Sequence, residues 1–264
     1  MSALKALLSR ALPESALQAV RKRHYARVLR RAELSEEPDL AVVMQLVRPG
    51  DRAIDLGANV GFYTLFLSRA VGADGLVCAV EPVPPTHELL AYNARKLGLH
   101  NVRLLQCAAS GEEGTVTMQI PHFEWGGENL YQARIVGGDG RAGQRSFTVP
   151  ARTLDSMAEG LGSPVAFVKC DVEGHELACL RSAPRLLERE RPAWLIEVSS
   201  NPDDAGSDAR ALFELLAARG YRAFRWDGAR LVPRRPGDRS VNYFFLTTAH
   251  LARLRERALP MDAS

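Results

Sequence analysis

One nine-residue run constrains this 264-residue chain more than any other: Asp55-Leu56-Gly57-Ala58-Asn59-Val60-Gly61-Phe62-Tyr63. The strand-like residues Arg52-Ala53-Ile54 precede it, and an amphipathic stretch, Phe62 to Val71, follows. Strand, glycine-rich turn and helix, in that order, let bare backbone approach a nucleotide-like ligand. A side chain at Gly57 or Gly61 is expected to stand between the backbone and that ligand. A helix opening near Gly61 adds unpaired N–H groups and a positive dipole end, which suit a ligand carboxylate.

A second apolar segment, Leu76-Val77-Cys78-Ala79-Val80, ends at Glu81-Pro82. An acid at the tip of the second strand is where a doubly wound sheet binds ribose, because one carboxylate accepts from both hydroxyls. The turn departs from the dinucleotide pattern Gly-x-Gly-x-x-Gly. Asn59 stands where a second glycine would make room for a pyrophosphate. S-adenosylmethionine has no pyrophosphate and fits this turn better than a nicotinamide dinucleotide. Asp55 is expected to meet the ammonium of its amino-acid end, and Ala108-Ala109 to border its adenine.

Apolar residues make up 46% of the chain and charged ones 25%, a balance that fits a soluble globular enzyme. The net charge is only +3, so nothing global calls for nucleic acid. The basic excess is local, in Arg21-Lys22-Arg23, Arg27, Arg30 and Arg31. No apolar run is long enough for a membrane span. Lys5 and Arg10 interrupt the N-terminal apolar stretch, so no signal peptide is expected. Cys78, Cys107, Cys170 and Cys179 show no metal-type pairing and read as reduced, mostly buried thiols. The expected compartment is the cytoplasm.

Residues 3–33 read as helical with a break near Pro13, and 38–47 as a further short helix. Three roles fit the basic N-terminal helices: a solvated cap, a homo-oligomer contact or a peripheral membrane contact. Strands are expected at 53–56, 76–80, 102–106, 115–120, 165–170 and 193–198, with late ones at 221–226 and 241–247. Helices are expected at 85–97 and 208–219. The alternation implies an α/β fold: a doubly wound, mostly parallel Rossmann-like sheet with a late antiparallel strand. The expected division is an N-terminal helical extension at 1–48, a catalytic domain at 49–250 and a tail at 251–264. The polar, glycine-rich stretch 122–143 is too long for an ordinary connection and reads as a lid or substrate wall. Trp125, Asn129 and Tyr131 in it are the expected acceptor contacts, with His175 as a further one. Residues 199–208 form a second polar loop.

The run Phe167-Val168-Lys169-Cys170-Asp171-Val172-Glu173-Gly174-His175-Glu176 delivers Lys169, Asp171 and Glu173 to the C-terminal edge of the sheet, where open α/β sheets bind ligands. Burying such groups is costly unless they are paired, so their placement there points to function. Glu197 closes the next strand beside the same cleft. Lys169, Asp171, Glu173 and Glu197 are the expected catalytic set. Asp55, Gly57, Asn59, Gly61, Glu81, Ala108, Ala109 and Asp171 are the expected cofactor contacts. A divalent metal on Asp171, Glu173 and Glu197 is open to such carboxylates, but their spacing does not require it.

Five motifs together resemble the FkbM-type methyltransferases, over residues 50 to 247. They are Asp55 to Thr64, Val80-Glu81-Pro82, Arg152-Thr153-Leu154-Asp155, Lys169 to Glu176, and Pro192 to Glu197. The resemblance implies a class I S-adenosylmethionine-dependent enzyme, usually methylating hydroxyls of sugars, natural products or other secondary metabolites. Such relatives more often carry an aliphatic residue where Cys170 stands and a small one at His175; neither departure removes an expected role. The rival readings are a nicotinamide-dependent oxidoreductase, a non-catalytic cofactor-binding module and a nucleic-acid methyltransferase. Asn59, the intact Lys169-Asp171-Glu173 set, and the lack of an Asn-Pro-Pro-Tyr-like motif count against them in turn.

Overall fold

A computed structural model describes residues 14–122, 128–129, 132–137 and 143–262. The chain opens with α1 (Glu14–Arg30) and α2 (Leu40–Leu46), then alternates: β1 (Arg52–Leu56), α3 (Phe62–Val71), β2 (Leu76–Val80), α4 (Pro84–Leu97) and β3 (Val102–Leu105). Four strands follow, β4 (Ala108–Ala109), β5 (Gly114–Gln119), β6 (Arg134–Val136) and β7 (Ser146–Arg152). The alternation resumes with α5 (Leu154–Glu159), β8 (Val165–Cys170), α6 (Glu176–Arg181), β9 (Ala193–Glu197) and α7 (Asp208–Ala217). It closes with β10 (Arg222–Trp226), β11 (Leu231–Pro233), β12 (Asn242–Leu246) and α8 (Thr248–Glu256).

Eight strands form one sheet in the order β11-β10-β12-β9-β8-β1-β2-β3. The central strands pair in parallel, and β12 is inserted antiparallel between β9 and β10. Central parallel strands are covered on both faces and are therefore apolar nearly throughout. Ala53, Ile54 and Leu56 of β1 are fully buried, as are Phe167, Val168 and Cys170 of β8. Alternation along each strand sorts these side chains into two layers. Ile54, Val168, Trp194 and Tyr243 pack with α5, α6 and α7 on one side. Ala53, Phe167, Leu195 and Phe244 pack with α2, α3 and α8 on the other. The N-terminal extension and the tail therefore share a core with the sheet. All four cysteines are buried and free.

The expected strands and helices appear with ends shifted by a residue or two, and the late antiparallel strand is β12. The four-stranded sheet β4-β7-β5-β6 was not anticipated beyond β5. Its strand β7 contains Pro150, which argues against an inner strand. The register explains the exception, because β7 meets β4 only at Ala151 and Arg152, beyond the proline. Met118, Ile120 and Val149 give this sheet a small core of its own with Val83 and Ala108. Residues 3–13 of the expected N-terminal helix lie outside the described residues. Among the described residues no helix is long and apolar enough to cross a membrane.

The Arg152-Thr153-Leu154-Asp155 motif is structural. Thr153 caps α5 by accepting from the Ser156 N–H at 3.3 Å. Asp155 accepts from the backbone N–H groups of Arg185 at 2.8 Å and Leu186 at 3.0 Å, where the chain enters the turn before β9. Removing the acceptor strands two part-buried donors, at a cost of about 1–3 kcal/mol. Asp155→Ala is expected to lower the unfolding free energy by that amount, read as a lower denaturant midpoint at unchanged slope; an unaltered midpoint would refute this capping role.

Candidate active site

Three strand ends meet at the C-terminal edge of the large sheet and are tied together by backbone. The N–H groups of Gly57 and Ala58 both donate to the Val80 carbonyl at 3.0 Å, and the Asp171 N–H donates to the Leu56 carbonyl at 3.2 Å. A cleft opens there. The β1–α3 turn contributes Gly57 and Asn59 to its wall, the end of β2 contributes Glu81, and the β8–α6 turn contributes Asp171 and Glu173.

The glycines have a packing reason within the chain itself. A Cβ at Gly57 would lie 1.8 Å from the Asp171 carbonyl oxygen, and one at Gly61 would lie 2.8 Å from Leu90 Cδ1. Both also hold positive φ, +73° and +97°, which disfavours any side chain. Glycine is required so that two turns and a helix can close on one another, and only Gly57 faces the cleft. Asn59 also has positive φ, a conformation asparagine tolerates. That turn aims its N–H at Glu81 Oε2, 3.0 Å away.

Glu81 is cradled by backbone. Its other oxygen accepts from the Val83 N–H at 3.0 Å, and only 5% of the residue is exposed. Burial pushes its carboxyl up to about 7, against the two backbone donors. Each oxygen keeps a lone pair for a ligand hydroxyl.

The opposite wall carries Asp171 and Glu173, with further charge behind it. Lys169 Nζ donates to Asp171 Oδ2 at 2.8 Å and lies 4.8 Å from the centroid of the Tyr63 ring. Burial opposes its charge, but Asp171 and Asp55 outweigh that and hold the ammonium above its usual range. Glu173 sits at φ +51°, strained for a residue that is neither Gly nor Asn, and such strain clusters at functional sites. Burial, then Asp171 and Glu197, push its carboxyl up to about 7. Glu197 is raised by the same causes, burial first and Asp171 next. The N-terminal segment reaches this edge too. Asn242 donates to Asp39 Oδ2 at 2.8 Å and stands opposite Glu197 in the β9–β12 register.

The remaining expected residues lie behind or beside the wall. Asp55 is fully buried; its Oδ2 accepts from the Thr64 hydroxyl at 2.6 Å, and its Oδ1 has no hydrogen-bond partner. Lys169, Glu197 and Gly61 do not line the cleft. His175 forms the N-terminal boundary of α6. Asn129 is buried, donating through Nδ2 to Gln132 Oε1 at 2.9 Å. Trp125 and Tyr131 lie outside the described residues. Among the described residues no three His, Cys, Asp or Glu are arranged to hold a metal ion. The donor set Asp171, Glu173 and Glu197 therefore does not fit a metal.

Sequence reasoning missed the apolar half of the cleft. Val83 and Cys107 stand beside the expected Ala108 and Ala109, and Met118, Ala133 and Ile135 come from the second sheet. The alternation of residues 115–120 was the available signal: it puts Met118 and Ile120 on one face, but not over a cleft. The geometry as a whole fits a nucleoside with a polar tail. Apolar side chains flank Glu81, and beyond it lie the glycine turn and a carboxylate-rich rim.

The methyltransferase FkbM domain model matches residues 55–223. A stretch of 65 residues, 24% of this chain, is 32% identical to protein-L-isoaspartate O-methyltransferase 1 of Archaeoglobus fulgidus. That stretch spans only 30% of the relative's length. Methyltransferase FkbM from Methylobacillus flagellatus KT is similar at 15% identity over 87% of this chain and 59% of that one, with a TM-score of 0.46. Aeropyrum pernix fibrillarin, in complex with natively bound S-adenosyl-L-methionine, is similar at 15% identity over 78% of this chain and 73% of that one, with a TM-score of 0.47.

Gly57→Ala is expected to push the β8–α6 turn off the β1–α3 turn, lowering the thermal midpoint by several degrees or preventing folding. Gly174→Ala serves as the control. It also alters a positive-φ glycine, in the β8–α6 turn, but a Cβ there meets nothing within 4 Å. Equal effects of the two substitutions would show that the Gly57–Asp171 contact is not the constraint.

Proposed function

The chain belongs to the FkbM methyltransferase family, and from that premise we propose that it moves a methyl group from S-adenosylmethionine to a hydroxyl oxygen of a sugar, natural product or other secondary metabolite. The observation that carries this reading is Glu81, a carboxylate locked by two backbone N–H groups between an apolar wall and the Gly57 turn. Such a carboxylate suits a ribose. Ala108, Ala109, Met118 and Ile135 suit an adenine, and the turn with the orphan Asp55 Oδ1 behind it suits an amino-acid end.

When bound, S-adenosylmethionine supplies a methyl already activated by its sulfonium charge. The chain's own residues then align the acceptor and take its proton. Glu173 has the stronger claim to the proton, because it lines the cleft and Lys169 holds Asp171 as a charged partner. With an acceptor hydroxyl held at the rim, the Glu173 carboxylate would take the proton that the oxygen gives up on methylation. Asp171 keeps the ammonium of Lys169 in place, and Glu197, beside the cleft, adds to the negative field that holds the Glu173 carboxyl up.

Transfer of labelled methyl to a panel of hydroxylated acceptors tests this reading. General-base catalysis contributes about 10²–10⁴-fold, so Glu173→Gln is expected to lower kcat by that factor while leaving the donor KM nearly unchanged. Full turnover in this variant would remove Glu173 from the role. Glu81→Ala is expected to do the reverse. Losing charged hydrogen bonds of about 1.5–3 kcal/mol each raises the donor KM at least tenfold.

The acidity of Glu173 gives the pH dependence its sign. Its folded value, about 7, is raised, so the proton-accepting form appears only as the pH climbs through 7. With donor saturating, kcat/KM for the acceptor should rise about tenfold per pH unit below 7 and level off above it. A profile flat from pH 5 to 8 would contradict the assignment.

A further inference from the structure

Charge is divided unevenly along this chain. Residues 1–34 hold eight Lys or Arg and two Glu, a formal charge of +6, so the remainder carries −3. Between Ser15 and Arg31 there is no acidic residue at all. One side of α1 is committed to the fold. Gln18, Ala26 and Leu29 are buried, Gln18 Nε2 donates to the Pro85 carbonyl at 2.6 Å, and Lys22 pairs with Glu88 at 2.5 Å. The other side presents Arg23, Arg27 and Arg30 to solvent, and Arg31, just past the end of the helix, is exposed as well. Among them stand Val20 (60% exposed), Val28 (39%) and Leu34 (44%), three of the four exposed large hydrophobics among the described residues.

We propose that this face of α1 docks the protein reversibly on an anionic lipid surface. Cations near such a surface are drawn by its negative potential, and aliphatic side chains between them enter the headgroup layer. The sequence before α1 has the same chemistry. Leu4, Leu7, Leu8 and Leu12 follow the i, i+3, i+4, i+8 repeat of an amphipathic segment, with Lys5 and Arg10 as its only charges before Glu14. A second copy of this chain fits the face poorly, since a two-fold contact sets the arginine stripe against itself. Single-stranded nucleic acid would satisfy the cations, but it binds by stacking on aromatic faces; the rings on α1 are exposed His24 and half-buried Tyr25, set edge-on to each other, and the exposed large apolar side chains are aliphatic. The cleft takes no part in the contact, although Pro82 and Val83, which line it, directly precede α4, where Gln18 binds.

The test is vesicle flotation of the full chain. Vesicles of phosphatidylcholine alone are compared with vesicles containing phosphatidylglycerol, at low and high salt. A variant carrying Arg23→Ser, Arg27→Ser, Arg30→Ser and Arg31→Ser is run beside the parent. Binding only to the anionic vesicles is expected, falling at least about tenfold in high salt and in the variant. A second variant, Val20→Ser with Val28→Ser, should weaken binding at constant charge. S-adenosylhomocysteine affinity should be the same in every variant, which separates this proposal from the catalytic one and certifies folding. Three results would each overturn the proposal: no flotation with anionic vesicles, equal flotation with neutral ones, or displacement from vesicles by single-stranded RNA at a concentration equivalent in phosphate.

Discussion

The contact between the Gly57 turn and the backbone of Asp171 sets the position of everything chemical in this molecule. Two turns from neighbouring strands approach until no Cβ fits between them. Hydrogen bonds from Gly57 and Ala58 to Val80, and from Asp171 to Leu56, hold that approach across three strands. The same closure turns the Asn59 N–H toward Glu81 and presents Glu173 at the rim. The Gly57 turn, the Glu81 cradle and the Glu173 rim are thus set by backbone contacts, with side chains supplying the charge.

The large sheet was legible because its strands are buried on both faces. Such strands read as short apolar runs, each ending at a polar residue or glycine on the ligand edge, as with Asp55-Leu56-Gly57 and Val80-Glu81. Asp171 and Glu173 were legible for the same reason: acids directly after an apolar strand have one place to go. The second sheet was hidden because its strands are short or half-exposed, and β7 contains a proline that normally argues against a paired strand. Its contribution to the cleft, through Met118 and Ile135, depends on how that sheet folds over the large one. No local pattern carries that information.

Asp55, Gly61 and Glu173 show a different limit. Their importance was visible in the sequence, but the physical reason was not. Asp55 lies beneath the cleft, bonded to Thr64, and Gly61 makes room for Leu90. The strained φ of Glu173 has no trace in composition or periodicity. Spacing finds the residues at a strand end, whereas the packing of neighbouring turns decides which of them reach the ligand. A basic, aliphatic-studded helix stands apart from a cleft rich in carboxylates, so charge separates the two surfaces along the chain.

The most direct test of the account is calorimetric titration of the purified protein with S-adenosylhomocysteine, with NAD as the control ligand. The account predicts one site per chain, micromolar or tighter affinity for the first ligand and no detectable heat for the second. Absence of S-adenosylhomocysteine binding, or comparable binding of NAD, would contradict the reading of the Glu81 cleft as a methyl-donor site.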